Sequence, residues 1–539
     1  MRAVRDRAPL RSALRTVLVL LVSTAALVFV GAPPGRACCG SPGSVAPYDF
    51  NGDGYADLAI GAIEVPFNET DTGWVTVLYG SATGITTTGG QLWSQDSPGI
   101  PDSSEMADSF GQSLASGNFN GDGYADLAIA APGENLAGYD EGVIHVLFGS
   151  ASGLTSSGTQ LWSQDSPGVL DVAQDSDQFG EVMAAGNVGS GSYDDLVIGL
   201  PNENYAPRGG ADQSNSGAVQ VLFGSASGLT SVGNQFWTQQ SPGVPGNSDA
   251  GDNFGHAVLA AELTGDTLDD VVIGVPDETL AGGVRAGAVH VLPGSSTGPT
   301  VTGSGTWTQA SAGVADNPEQ NDGFGYSLAA GDFGGSSHRE LAIGAVGESI
   351  VTGQTGNGAV HVLVGSSAGL TATGSQFWSQ NSSGVLETAE SGDSFGLQMS
   401  VANLGKSGQD DLAIGVGESI VGTYNDGVVH VLYGSSSGLT STGNQLWHPD
   451  IPGVPDELEP EEMFGFQLQV GDYGGGTIAD LVVGSPAETV DGVYGVGAVT
   501  VIYGGSAGLT STGSQYLNPA TPGVPGDPEG NSRWGQLGR

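Results

Sequence analysis

Residues Asp49-Phe50-Asn51-Gly52-Asp53-Gly54-Tyr55-Ala56-Asp57 put oxygen-bearing groups at alternate positions, with glycines between them. Side chains at positions one, three, five and nine of such a loop, with the carbonyl of position seven, are the hard oxygen ligands that calcium takes. Here they are Asp49, Asn51, Asp53 and Asp57, with the carbonyl of Tyr55. The pattern returns as Asn118, Asn120, Asp122 and Asp126, with the carbonyl of Tyr124, carrying one negative charge fewer. Two calcium ions are therefore expected, the second held more weakly. A third and weaker possibility uses Glu262, Thr264, Asp266 and Asp270. The competing reading is an acidic turn held by its own side-chain hydrogen bonds.

Later copies of the loop lose ligands. Gly189 and Gly191 lie between Asn187 and Asp195, and Gly474 and Gly476 lie between Asp472 and Asp480. Lys406 falls inside the sixth copy, where an ammonium opposes a bound cation, and Arg339 adjoins Glu340 in the fifth. These four are expected to be metal-free turns that keep the shape.

The elements that position the loops follow from their spacing. The closing residues Asp57, Asp126, Asp195, Asp270, Glu340, Asp411 and Asp480 are 69, 69, 75, 70, 71 and 69 residues apart. A fixed period names a repeat architecture. In the second copy the apolar runs predict strands at Phe110–Ala115, Asp126–Ile129, Val143–Phe148 and Gln160–Ser163, each bounded by turn-forming residues. Helical periodicity is missing from the chain beyond its N-terminal stretch. Repeated four-stranded units predict an all-β, seven-bladed β-propeller of antiparallel blades. Six Phe-Gly pairs, at Phe110, Phe179, Phe254, Phe324, Phe395 and Phe464, open strands. The first copy lacks one, and Trp534-Gly535-Gln536-Leu537 at the far end is expected to supply it and close the ring. Closure removes sheet edges. The alternative is a frayed tail.

Arg2, Arg5, Arg7, Arg11 and Arg15 precede an apolar run from Val17 to Val30, followed by small residues up to Ala37. That is the layout of a secretory signal, although a retained anchor has a similar one. The expected organisation is a signal peptide over 1–37, a short linker over 38–43 and the propeller over 44–539. Cys38 and Cys39 are the only cysteines and, being adjacent, do not staple the fold. Secretion is expected, the alternative being a lipid anchor at Cys38. The chain has 12 basic and 58 acidic residues; six of the basic ones and only Asp6 of the acidic ones precede residue 38, leaving −51 for the remainder. Such a field repels nucleic acid and anionic membranes and attracts divalent cations.

Phe-Gly, the acidic loop and a following Gly-Ala-Pro-like segment (Ala130-Ala131-Pro132, Gly199-Leu200-Pro201, Gly274-Val275-Pro276) resemble the FG-GAP repeat. That repeat is the blade unit of the integrin α-subunit propeller and of secreted bacterial integrin-like proteins. The resemblance covers all seven copies. It implies a calcium-binding propeller and marks fold far better than function, because the family includes adhesion proteins, lectin-like proteins and accessory domains of enzymes.

Other repeated residues have two readings each. His145, His290, His361 and His430 share one third-strand position, too far apart between blades for a common zinc ion, and read as polar-face residues equivalent to Thr76, Gln220 and Thr500. Trp93, Trp162, Trp237, Trp307, Trp378 and Trp447, with Leu517 as counterpart, read as packing residues or as sugar-stacking platforms. Glu134, Glu203, Glu278, Glu348, Glu418 and Glu488, with Glu64 in the first copy, form either a turn-stabilising set or a binding ring. No Ser-His-Asp set, catalytic cysteine or Gly-rich phosphate loop interrupts the repetition, so no catalytic or organic-cofactor residues are assigned. The expected function is a monomeric, calcium-stabilised, non-enzymatic binding or adhesion module for an extracellular protein. A lectin-like propeller for glycans and an extracellular hydrolase are the alternatives. The segments that vary most between copies, Phe67–Gly73, Asp102–Asp108, Asn202–Gly217 and Glu457–Glu462, are expected to share the face opposite the calcium loops.

Overall fold

The computed structural model describes residues 46–538, apart from 64–71, 190, 206–213, 335–337, 418–425 and 527–529. The signal, the linker, Cys38 and Cys39, Glu64, Glu418, and parts of the loops after Phe67 and Asn202 lie outside the described residues. What is described is a ring of seven four-stranded antiparallel sheets. Among the described residues no helix is long and apolar enough to cross a membrane.

Blade two shows the plan: Leu114–Gly117 innermost, then Asp126–Ala131, Val143–Phe148 and Thr155–Trp162 outermost. The first strand starts later than the Phe-Gly pair implies. Gly111 has φ +96°, outside the strand region, and Phe110 N–H donates to the Thr72 carbonyl at 3.1 Å. The pair thus ends the connector. In blade five the strand does begin at Phe324, but its register shifts between Phe324 and Leu328. The fourth strand begins earlier than predicted, because a bulge between Val146 and Phe148 lets pairing continue back to Thr155.

Closure occurs as expected. Gln536–Leu537 pairs with Leu58–Ala62 as the innermost strand of blade one. Trp534 takes the phenylalanine position; it is fully buried and donates Nε1 to Thr76 Oγ1 at 3.1 Å.

Blades meet through backbone. A Cβ on Gly61 would lie 2.0 Å from the Gly111 carbonyl oxygen, one on Gly199 or Gly274 2.1 Å from that of Gly255 or Gly325, and one on Gly484 2.4 Å from that of Gly535. The glycine of one blade's second strand therefore seats the Phe-Gly glycine of the next. The six phenylalanines of these pairs are buried, each contributing about 1.5–3 kcal/mol.

The four histidines are not on a polar face. His145, His290, His361 and His430 are buried, and each packs its ring on the phenylalanine of its own blade's Phe-Gly pair at 5.2–5.5 Å. Inner strands are covered on both faces by neighbouring blades, so alternation carries no inside–outside signal there. Burial lowers each imidazole pKa to about 4, which keeps these rings neutral. The repeated tryptophans pack against the inter-blade clusters, partly buried at five positions and buried at Trp447, as does Leu517.

Candidate metal centres

The first loop is shaped before any ligand arrives. Asp49, buried, accepts Gly52 N–H at 2.8 Å and Asp53 N–H at 3.1 Å on one oxygen and Gly54 N–H at 3.0 Å on the other. Asn51 Oδ1 accepts Asp53 N–H at 2.8 Å, and Asp53 Oδ1 accepts Tyr55 N–H at 2.9 Å. Gly52 holds φ +73°, and a Cβ there would lie 2.7 Å from the ring of Tyr124 in the next blade. The same turn recurs at Asn118, Asn120 and Asp122, with Tyr193 over Gly121.

Asp57, which closes the loop, behaves differently from the other members of its own loop. Its Oδ2 accepts Phe50 N–H at 2.9 Å and its Oδ1 accepts Gly80 N–H at 3.0 Å, where the third strand ends. Asp126 does the same with Phe119 and Gly149, Asp270 with Leu263 and Gly294, Asp411 with Leu404 and Gly434, and Asp480 with Tyr473 and Gly504. The closing acid is thus a backbone clip in every such blade, with or without the other ligands. Asp411→Ala tests this in a blade expected to bind no metal. Leaving Leu404 and Gly434 N–H groups unsatisfied in a buried site should cost about 2–4 kcal/mol, equally in calcium and in chelator, by urea denaturation.

The carboxylates of loop one still crowd each other. Burial, then the neighbouring Asp49 and Asp53 charges, raise the Asp57 pKa to about 8 against the opposing backbone donors. Asp49 is raised by burial and by Asp53. In loop two the Asp126 pKa rises to about 7, by burial first. A cation relieves that crowding, so Asp49, Asn51, Asp53, Tyr55 and Asp57 fit calcium chemically, as do Asn118, Asn120, Asp122, Tyr124 and Asp126. In blade four Glu262 takes the place of Asp49 and accepts the Gly265 and Asp266 N–H groups. Lys406 reaches over the Tyr433 ring, 3.8 Å from its centroid, and donates to the Gly443 carbonyl.

Two acidic sets on these rims carry no flag within a single loop. Asp194, Asp269 and Asp410, one residue before the closing acid, accept the first loop N–H of the preceding blade, as in Asn118 N–H to Asp194 at 2.7 Å. On the other rim, Asp108, Asp177, Asp252 and Asp322 sit two residues before the Phe-Gly pair, beside Glu134, Glu203, Glu278 and Glu348. Those glutamates are buried, and each accepts a hydrogen bond from a glutamine of the preceding blade: Gln95, Gln164, Gln239 and Gln309, at 2.5–2.8 Å. Alignment on the phenylalanine exposes this set in the sequence. Burial and the facing aspartates raise Glu134 and Glu348 to about 8.

This rim also carries the connectors Asp102–Asp108 and Glu457–Glu462. Large apolar side chains are exposed there between blades two and three: Tyr139 at 66%, Val172 at 65% and Leu170 at 47%. Tyr139 and the 170–176 connector are tied by Ser176 N–H to the Tyr139 carbonyl, 2.7 Å.

A seven-bladed ring with Phe-Gly junctions and acidic first turns defines a repeat propeller. The chain carries FG-GAP repeats: the family model matches residues 41–78, 110–147 and 254–292. It is 32% identical over 168 residues to phosphatidylinositol-glycan-specific phospholipase D of Bos taurus, covering 31% of this chain and 18% of that protein. The human protein of the same name is 30% identical over 221 residues, covering 40% and 24%. Integrin alpha pat-2 of Caenorhabditis elegans is 29% identical over 247 residues, covering 44% and 18%. The chain spans less than a quarter of the length of each of these relatives.

Proposed function

We propose that this propeller is a secreted, calcium-stabilised, non-enzymatic binding module for an extracellular protein, acting as a monomer. Residues 1–37 serve as the export signal. The observation that supports a protein ligand is the exposed apolar group of Tyr139, Leu170 and Val172 on the rim of long connectors. Aromatic and aliphatic side chains projecting from connectors on a rigid scaffold suit macromolecular contact. The repeated tryptophans pack against the core, which counts against a glycan platform. The integrin relative is consistent with a binding role, while the activity in the phospholipase D names belongs to proteins of which this chain spans under a quarter.

Calcium in loops one and two would neutralise Asp49, Asp53, Asp122 and their neighbours and stiffen the rim opposite the ligand. Asp53→Ala should remove one calcium ion from the chain and lower the melting temperature much more in calcium than in chelator, where only the exposed Tyr55 and Asn51 hydrogen bonds are lost. An unchanged calcium stoichiometry would refute that site. For the ligand, the informative experiment is capture from extracellular and cell-wall material by wild type and by Tyr139→Ser/Val172→Ser. Equal capture by both would sink the assignment of this rim.

A further inference from the structure

The crevice between blades four and five holds three carboxylates that the calcium loops do not use. Ligand oxygens of Glu319, Asp322 and Glu348 lie within 4.8 Å of one another; Glu319 is exposed, the other two buried. Asp322 comes from the connector entering blade five and Glu348 follows that blade's second strand, while Gln309 follows the outer strand of blade four. The site is therefore built from two blades, on the rim opposite the loops.

Two buried oxygens in it have no hydrogen-bond partner. Asp322, fully buried, uses Oδ2 to accept Glu319 N–H at 2.5 Å, and its Oδ1 has none. Gln309, 2% exposed, donates Nε2 to Glu348 Oε2 at 2.7 Å, and its Oε1 has none. The amide donor thus faces the carboxylates, bonded to Glu348 and acting on Asp322 from longer range, while its oxygen has no donor; a half-turn of the amide exchanges the two and brings that oxygen to the same carboxylates. Buried acceptors without donors are costly. The charges acting most strongly on Glu348 are Asp322 and Asp316, both negative. What such a pocket lacks is positive charge with several coordination directions.

We propose that Glu319, Asp322 and Glu348, with the Gln309 side-chain oxygen, hold a hard divalent cation, calcium, as a clamp between blades four and five. The ligands are all oxygen, and both carboxylates and a neutral amide belong to the set calcium accepts. A shared proton can serve one of the two free oxygens; a metal ion serves both and also the exposed Glu319. Related junctions repeat part of the plan, with Asp108, Asp177 and Asp252 Oδ1 and Gln95, Gln164 and Gln239 Oε1 likewise unpartnered. Among the described residues only the junction of blades four and five gathers three such ligand atoms within that distance.

The test uses the full chain stripped with chelator and titrated with calcium chloride by calorimetry, and with terbium read by tryptophan-sensitised emission. An Asp53→Ala/Asp122→Ala background removes the loop sites. That background should retain an ion, and adding Asp322→Asn/Glu348→Gln should remove it. Trp307 lies two residues from Gln309, within roughly 7 Å along a strand. Trp307→Phe should therefore abolish most of the remaining terbium emission. Exposed Glu319→Gln spares the buried bonds, so it folds even if the double variant does not, and should weaken the site about tenfold. A background that binds no ion, equal binding after Asp322→Asn/Glu348→Gln, or unaltered affinity in Glu319→Gln would overturn the proposal. Failure of the loop sites alone would appear as full stoichiometry in the background and leaves the crevice site standing.

Discussion

A chain ending at Ser532 should lose its monomeric, cooperative fold. The missing residues carry the innermost strand of blade one: Gln536 and Leu537 pair with Gly61 and Ile60, and Gly535 N–H donates to the Gly61 carbonyl at 3.1 Å. They also carry Trp534, whose backbone N–H reaches the Val496 carbonyl in blade seven at 3.0 Å. Removing a buried tryptophan side chain alone costs about 3–5 kcal/mol, against a total stability of about 5–15 kcal/mol for a typical domain. The truncation further bares the edge of Leu58–Ala62, which then pairs with other molecules. Size-exclusion chromatography and urea melts decide it, and a monomer with an unshifted midpoint would contradict the closure mechanism. Trp534→Phe restores the residue of the other blades and removes the hydrogen bond that Thr76 Oγ1 accepts, while the Thr76 hydroxyl keeps its bond to the Pro525 carbonyl at 3.1 Å, and should cost about 1 kcal/mol.

In chelator, stability should fall as pH rises from 6.5 to 8. Asp57, Asp480, Glu134 and Glu348 have pKa values of about 8, and Asp126, Asp411 and Glu278 about 7, mainly through burial. Their unfolded values are about 4. Through this window the folded state binds more protons than the unfolded one, so raising the pH favours unfolding. The buried histidines act oppositely at lower pH. With folded values of about 4 against about 6.5 unfolded, they contribute stability above pH 6.5 that is lost as pH falls toward 4. Above pH 6.5 the histidine contribution fades and the carboxylates set the slope, which levels off as pH passes about 8. Saturating calcium should flatten the slope, because a bound cation favours the ionised carboxylates. A melting temperature in chelator that climbs between pH 6.5 and 8 would show that these groups are solvated in the native state.

The architecture was legible because the closing acid recurs at a nearly constant interval and because Trp534-Gly535 is misplaced by a full turn of the ring. Strand ends were less so. Whether Gly111 continues a strand or breaks it depends on its φ, which is set by the neighbouring blade's Gly61 and not by its own flanking residues. The histidines misled for a related reason: inward and outward lose meaning when both faces of a strand are covered. The alternating oxygens of the first loop are visible in the residues, but the dual use of Asp57 is not. Its second partner, Gly80, is 23 residues away and is fixed only by the pairing of the second and third strands. The rim set of Asp322, Glu348 and Gln309 is likewise scattered through two repeats and meets only when blades stack.

The glycine-on-glycine seats between blades have a consequence for how such a chain diverges. A junction made of backbone carries no side-chain identity, so every blade but the second, where Ala130 meets Gly180, presents the same socket and the same plug to its neighbours. Duplication can add or remove whole units without inventing a matching surface, and a copy can drift without spoiling its fit. Variation is then confined to the two rims. On one, calcium ligands fade from copy to copy; on the other, new combinations of connectors can be sampled while the ring beneath them stays the same.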